Sequence, residues 1–132
     1  MYAEDLNAQH CGIRLLEAGE GHARDSMGVK KHMLYGFGFC HGGMIFTLAD
    51  TAFSYEYNSH NQTSVAMNCN ITFLKPARNG DLLTAKVQEQ LLESRNGIYD
   101  IEVTNHEEIC LALFRGHSRT VSGTFLPVEG EI

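Results

Sequence analysis

Residues 42–58 read GGMIFTLADTAFSYEYN, and this stretch decides the fold because it is the one strong helix signal in the chain. Apolar side chains recur there at i, i+3, i+4 and i+7 and form one stripe: Ile45, Leu48, Ala49 and Ala52. Gly42-Gly43 opens the segment and Asn58-Ser59 closes it. Aromatic residues occupy a second face, so we predict a helix that is wrapped by a sheet.

The segments on either side of this helix have the alternating pattern of strands. Four follow the helix, at residues 65–73, 83–91, 99–103 and 109–121, and a weaker hairpin at residues 12–16 and 23–30 precedes it. Pro76, Asn79-Gly80 and Asn96-Gly97 mark the turns. The order β-β-α-β-β-β-β with short turns predicts an antiparallel meander. We therefore expect an α+β hot-dog fold, a curved antiparallel sheet of about six strands around one long central helix.

Length and composition fit a single globular domain over residues 1–132. The net charge is −6, which disfavours a nucleic-acid partner. No apolar run is long enough to span a membrane, and the acidic start is unlike a secretory signal. The four cysteines form no CxxC pair and the seven histidines no HxxxH pair. The composition predicts a cytoplasmic protein with reduced thiols and no metal site.

Three interpretations compete for the unusual segment before the helix, YGFGFCHGG at residues 35–43. A phosphate-binding loop is disfavoured, because the glycine spacing departs from GxGxxG. A nucleophilic Cys40–His41 pair is disfavoured too, because neighbours in an extended segment point different ways. The third interpretation is an oxyanion site. Backbone N–H groups in the first turn of a helix lack partners, and glycines let a carbonyl oxygen approach them.

Asp50 is the acid that could act with such a site. Beside aromatic residues its pKa could be raised, which suits a base or nucleophile, although a solvent-exposed helix aspartate is an equally good interpretation. Eight residues separate Gly42 from Asp50, or about 12 Å along a helix. One helix cannot bring both to one carbonyl. If both act on one substrate, the sequence predicts a dimer with shared active sites.

The segment from His41 to Phe53, HGGMIFTLADTAF, closely resembles the signature of the PaaI-type hot-dog thioesterases, which are linked to phenylacetic acid degradation. The likeness continues through Asn58 and through ITFLKPA at residues 71–77 with Gly80-Asp81. It extends to Tyr99-Asp100-Ile101 and ALFRG at residues 112–116, so that it covers roughly residues 11–123.

This resemblance implies an enzyme that hydrolyses acyl-CoA thioesters without metal or cofactor. The substrate would be an aryl-acetyl-CoA such as phenylacetyl-CoA, or a short to medium acyl-CoA. Asp50 would activate water or attack the thioester, and the Gly42 N–H of the other subunit would polarise its carbonyl. His41 and Gly43 belong to the same substrate-binding motif. Members of the family are commonly dimers of dimers, so a homodimer or homotetramer is implied.

The sequence departs from the family pattern at three positions. Tyr35 stands where the family usually has Asn, six residues before the motif histidine, and a phenol can also donate a hydrogen bond. Ala66 stands where some relatives use Ser to orient water, with Ser64 nearby. Glu56 lies on the apolar stripe where relatives have small residues, and we expect it to reach solvent or an interface.

CoA carries phosphates, so an acidic protein needs local cations. Relatives bind CoA along the segments that contain Lys75, Pro76, Arg78 and Arg95 here, and ordinary surface charge is the alternative for each cation. Two rival functions remain open from sequence. One is a hot-dog acyl hydratase or dehydratase that uses His41 with Asp50. The other is an acyl-CoA-binding or sensing protein without turnover, for which Tyr35 is the reason.

Overall fold

The long helix forms where the sequence predicts it, as α2 (Gly42–Tyr57). In the computed structural model, which describes residues 2–59 and 63–121, it follows β1 (Arg14–Gly19) and β2 (His22–Gly28) and precedes the other strands. These are β3 (Ser64–Phe73), β4 (Leu82–Glu93), β5 (Asn96–Thr104) and β6 (Cys110–Thr120). The predicted domain also contains residues 1, 60–62 and 122–132, which lie outside the described residues.

The core lies between α2 and the concave face of one six-stranded antiparallel sheet. The predicted stripe of α2 is buried throughout, and the helix contacts every strand. Phe53 lies directly beneath β6, where a Cβ on Gly116 would come within 2.5 Å of its ring. Gly116 therefore lets the sheet approach the helix closely. The hot-dog arrangement is thus the observed fold.

The meander prediction is correct for only part of the sheet. The strand order is β1-β2-β4-β5-β6-β3, so β3 pairs with β6 and not with β4. The connection between β3 and β4 is no hairpin. Its first residues, Leu74 and Lys75, donate their N–H groups to the Leu111 carbonyl, and Ala77 accepts from the N–H of Cys40 just before α2. The chain thus crosses the end of the sheet and leaves β3 as an edge strand.

β3 also departs from strict alternation. A bulge lies between Ala66 and Asn68, where the register with β6 shifts by one residue. Beyond the bulge Cys69, Ile71 and Phe73 pair with Gly116, Phe114 and Ala112 of β6. Before the bulge Ser64 and Ala66 pair with Thr120 and Ser118, and Val65, Ala66 and Met67 are all exposed. The bulge thus sets Ala66 and Cys69, three residues apart, on the same side of β3.

Three short elements and one burial in the described residues were not anticipated. The first element is a 3₁₀ turn at Tyr2–Glu4. A five-residue helix, α1 (Leu6–His10), begins where Asp5 accepts a hydrogen bond from the Ala8 N–H at 3.0 Å. A 3₁₀ turn spans Lys31–Met33. The expectation that Glu56 reaches solvent or an interface is wrong for the single chain, because its side chain is fully buried and accepts a hydrogen bond from the Gly21 N–H at 2.5 Å.

Candidate active site

The start of α2 leaves one backbone donor available. His41 is the N-cap: its Nδ1 accepts from the Gly43 N–H at 3.2 Å, and its carbonyl accepts from the Met44 N–H at 2.9 Å. Gly42 is the first helical residue and has no acceptor within the helix. No other acceptor within residues 2–59 and 63–121 engages its N–H. A ligand oxygen at the helix start would therefore meet the Gly42 N–H.

This donor opens onto a cleft of about 500 Å³. The cleft is lined by the loop before α2, the helix start and the end of β3: Tyr35, Phe39, Cys40, His41, Gly42, Ile45, Phe73, Leu74, Lys75 and Pro76. Most of this lining is aromatic or aliphatic. The arrangement suits a ligand with an apolar body and one carbonyl oxygen to be fixed.

The loop that forms the wall of the cleft is held by its own backbone. The Tyr35 N–H donates to the Phe39 carbonyl at 2.9 Å, and Gly38 adopts a φ of +87° to close the turn. The Tyr35 ring packs edge-on against Phe37 and His41, with centroids 5.7 and 6.2 Å apart, and is 42% exposed. Tyr35 thus lies at the mouth of the cleft, beside the N-cap histidine.

Asp50 lies two turns further along α2 and is half-buried. Burial raises the pKa of its carboxyl above the ordinary 3.8. No backbone or side-chain donor in the described part of the chain hydrogen-bonds to this carboxylate. Of the two interpretations from sequence, the structure does not bear out a fully solvated aspartate. A desolvated carboxylate without an internal donor can accept a proton from a bound water or substrate.

Gly42 and Asp50 face different parts of β3. A Cβ on Gly42 would lie 3.0 Å from the ring of Phe73, at the end of β3. Asp50 lies toward Cys69, four residues earlier in that strand. Burial raises the pKa of the Cys69 thiol, and the charge of Asp50 raises it further. The helix therefore runs opposite to β3. The two groups lie about 12 Å apart along the helix axis.

The Cys40–His41 pair is not assembled as a nucleophile and base. The Cys40 thiol is buried and lies 3.6 Å from the His41 carbonyl oxygen, while His41 Nδ1 is engaged with the Gly43 N–H. Burial, with a smaller contribution from the charge of Asp81, raises the pKa of the Cys40 thiol to about 11. A thiol that stays protonated at neutral pH is a poor nucleophile. Packing is the role that these contacts support.

The predicted CoA-binding cations are divided between the two ends of the sheet. Lys75 and Pro76 line both the main cleft and a neighbouring one of about 240 Å³, which Arg78 also lines. The Arg78 guanidinium lies over the Phe39 ring at 5.1 Å. Arg95 lies in the β4–β5 turn, where its carbonyl accepts from the Thr120 N–H. Arg95 therefore lies at the start of β3, and the main cleft lies at its end, about 30 Å away along the strand. A single chain does not bring Arg95 to this cleft.

Sequence reasoning missed a buried acid on β2. Asp25 is fully buried, and its two carboxylate oxygens have no hydrogen-bond partner in the described chain. Burial raises the pKa of Asp25 to about 8, against a smaller lowering by its own backbone N–H. The sequence did contain a signal for this burial. Asp25 falls at the same alternating positions as Ala23, Met27 and Val29, which point into the core.

Within the residues described, no group of three or more histidine, cysteine or acidic side chains could hold a metal ion. No helix in that part of the chain is long and apolar enough to cross a membrane.

Fold and sequence comparison together define the class. The model of the thioesterase superfamily matches residues 37–112, which include α2, Asp50 and all of the cleft lining except Tyr35. The chain belongs to this family and is a hot-dog thioesterase. Among its relatives is the acyl-coenzyme A thioesterase PaaI of Escherichia coli (strain K12), 44% identical over 124 residues that cover 94% of this chain and 89% of that protein.

Two further comparisons agree with this assignment. A putative esterase of Archaeoglobus fulgidus is 38% identical over 98% of this chain and 84% of its own length. The structure of the E. coli PaaI protein from the phenylacetic acid degradation operon superposes with a TM-score of 0.92 at 44% identity, covering 94% of this chain and 90% of that one.

Proposed function

We propose that the protein hydrolyses acyl-CoA thioesters to the free acid and CoA, as one domain over residues 1–132 and without a metal or cofactor. The observation that carries this proposal is the free Gly42 N–H at the head of the apolar cleft, on the same helix as the half-buried Asp50. The N–H stabilises the oxyanion that forms when the thioester carbonyl is attacked. Asp50 acts as base or nucleophile. The relationship to PaaI supports aryl-acetyl-CoA or a short to medium acyl-CoA as the substrate.

The active site requires two chains. About 12 Å between Gly42 and Asp50 is too far for one carbonyl to reach both within one helix. β3 is an edge strand whose outer backbone groups have no partner strand in the described sheet. A second copy paired antiparallel along β3 would set the start of one strand beside the end of the other. Such a dimer joins Asp50 of one chain to Gly42 of the partner, and two dimers can associate further into a tetramer.

Cations around the cleft bind the phosphates of CoA. Lys75 lines the cleft itself, and Arg78 is held beside it by the Phe39 ring. Arg95 would come from the partner chain, since the antiparallel pairing brings the far end of one sheet to the cleft of the other. Pro76, His41 and Gly43 shape the binding site, and the Tyr35 hydroxyl at the mouth of the cleft donates a hydrogen bond to the substrate. Such chemistry on intracellular CoA esters fits a cytoplasmic location.

Thiol release from phenylacetyl-, hydroxyphenylacetyl-, benzoyl- and straight-chain acyl-CoA tests the activity, with Asp50→Asn beside the wild type. We expect turnover that collapses in the variant, and the ranking of esters gives the acyl group. Turnover that survives Asp50→Asn would remove this acid from the mechanism. A change in double-bond absorbance without thiol release would instead indicate the hydratase or dehydratase function.

Mixing two inactive chains tests the shared site. Gly42→Pro removes the N–H and Asp50→Asn removes the acid, so a mixed dimer retains one intact site out of two. Random pairing gives about half mixed dimers, and the mixture should recover about one quarter of the wild-type activity. A mixture that stays inactive, with exchange of chains verified, would place both groups in one chain.

A binding protein without turnover is the second candidate, and the observation in its favour is Tyr35. The ring stands at the mouth of the cleft, where a phenol can hold a thioester without polarising it as an amide would. Tight binding of a CoA ester with no release of thiol, and turnover gained in Tyr35→Asn, would support this function.

A further inference from the structure

The N-cap of α2 differs in chemistry from most helix N-caps. Serine, threonine, asparagine and aspartate are preferred at this position, because a side-chain oxygen accepts a backbone N–H there. In α2 the acceptor is instead Nδ1 of His41, 3.2 Å from the Gly43 nitrogen. The same chain does use a carboxylate at α1, where Asp5 accepts from the Ala8 N–H at 3.0 Å. The cap beside the cleft thus has an aromatic nitrogen where the cap of α1 has a negative charge.

The His41 imidazole is held in a defined position. The His41 N–H donates to the Met33 carbonyl at 2.7 Å, and the His41 carbonyl accepts from the Met44 N–H at 2.9 Å. The Tyr35 ring packs edge-on against the imidazole, and a Cβ on Gly43 would lie 3.5 Å from Nδ1. A ring nitrogen that accepts a hydrogen bond has no proton of its own. The capping imidazole is therefore the neutral tautomer with its proton on Nε2.

The helix start also lacks the acidic side chains that usually accompany it. Carboxylates are favoured in the first turn of a helix, because the N-terminus has a partial positive charge. The first turn of α2 contains no acidic residue. Among the described residues that line the cleft there is no carboxylate either, and Lys75 is the fully charged side chain of that set. The partial positive charge at Gly42 is therefore left for a ligand to use.

We propose that His41 is a positioning residue: its neutral imidazole fixes the first turn of α2, engages the Gly43 N–H, and so presents the Gly42 N–H to the oxyanion with no negative charge beside it. This inference rests on the proposed thioesterase activity and deepens it, because it assigns to His41 a part in stabilising the transition state. An aspartate here would cap the helix as well as asparagine does, and it would repel the oxyanion.

The charge of the cap acts mainly after the substrate has bound. The thioester carbonyl is neutral in the bound substrate and becomes an anion when it is attacked. A negative cap therefore costs more in the transition state than in the ground state. Its effect falls on kcat, whereas a group that only binds the substrate changes KM.

The test compares thiol release from the best ester in His41→Asn, His41→Asp and the wild type. Asparagine and aspartate have almost the same shape, and both accept an N–H as N-caps, so the two variants differ in charge alone. We expect kcat of His41→Asp to be about tenfold to a hundredfold below that of His41→Asn, with similar KM values. His41→Asp should be at least as resistant to thermal unfolding, because a carboxylate is favoured at a helix start. A purely structural cap would not separate kcat from stability in this way.

Asp5→Asn is the matched control, because it makes the same exchange of charge at the cap of α1. Asp5 accepts from the Tyr55 hydroxyl at 3.2 Å, and Tyr55 lies 14 residues after His41, or about 21 Å along α2. We expect Asp5→Asn to change thermal stability and to leave kcat unchanged.

Three results would overturn the inference. The first is an equal kcat in His41→Asn and His41→Asp. The second is a raised KM at equal kcat in His41→Asp, which would make His41 a contact of the CoA phosphates. The third is a His41→Asp chain that does not fold while His41→Asn does, which would contradict the role of His41 as N-cap. A wild type that releases no thiol from any ester would instead refute the proposed function, and this inference with it.

Discussion

Removal of the Gly42 N–H is the most direct test of how the helix start works. Gly42→Pro deletes that hydrogen and leaves the rest of the helix bonded, because the first helical residue is where proline is best tolerated. His41 already has the extended conformation that precedes proline, with φ −62° and ψ 133°. The change therefore alters the donor without breaking α2.

The expected loss follows from how the first turn is bonded. The Gly43 and Met44 N–H groups are already engaged by His41, so no neighbour can replace the missing donor. Loss of a lone oxyanion donor lowers kcat by roughly a hundredfold to a thousandfold, or about 3–4 kcal/mol of transition-state stabilisation. The Cβ that proline adds would lie 3.0 Å from the Phe73 ring, which is half-exposed and can move.

Gly42→Ala is the matched control, since it adds the same Cβ and keeps the N–H. Thiol release from the best ester, measured under saturating conditions, should fall far more in Gly42→Pro than in Gly42→Ala, and thermal unfolding should show both folded. Equal kcat values in the two variants would refute the assignment of Gly42 as the oxyanion donor.

Two further predictions concern buried acids. Asp25→Asn should raise the free energy of unfolding by up to about 4 kcal/mol at pH 7 and little at pH 4, because the folded protein holds a proton up to pH 8 that the unfolded aspartic acid releases near pH 3.8. Urea unfolding at fixed protein concentration checks this, and an equal gain at both pH values would contradict it. The acid limb of the kcat profile should lie above the pH at which an ordinary aspartate titrates, since Asp50 must be ionised to act as base and burial raises its pKa. Asp100→Asn, which breaks an exposed ion pair with Arg115, is the control and should leave the pH of the acid limb unchanged. A shift of the acid limb in Asp100→Asn would exclude Asp50 as the group that titrates there.

Local sequence determined the helix, the strands and the head of the site. The stripe from Ile45 to Ala52 and the alternation along β5 and most of β6 require only the periods of helix and strand, which neighbouring residues set. The HGG segment also defined its own geometry, because an N-cap and the first helical N–H groups depend on residues within one turn. The helix start at Gly42-Gly43 therefore follows from the amino-acid sequence alone, whereas Gly42 as the oxyanion donor was implied by the family resemblance.

Tertiary structure decided what depends on partners distant in sequence. The pairing of β3 with β6 follows from the crossing of residues 74–81 at the end of the sheet, and the bulge in β3 shifts its register with β6 by one residue. Burial of Asp25 and Glu56 arises only when the sheet and the helix pack together. Periodicity describes the direction of a side chain relative to its own strand or helix, whereas these features depend on what another element places opposite it.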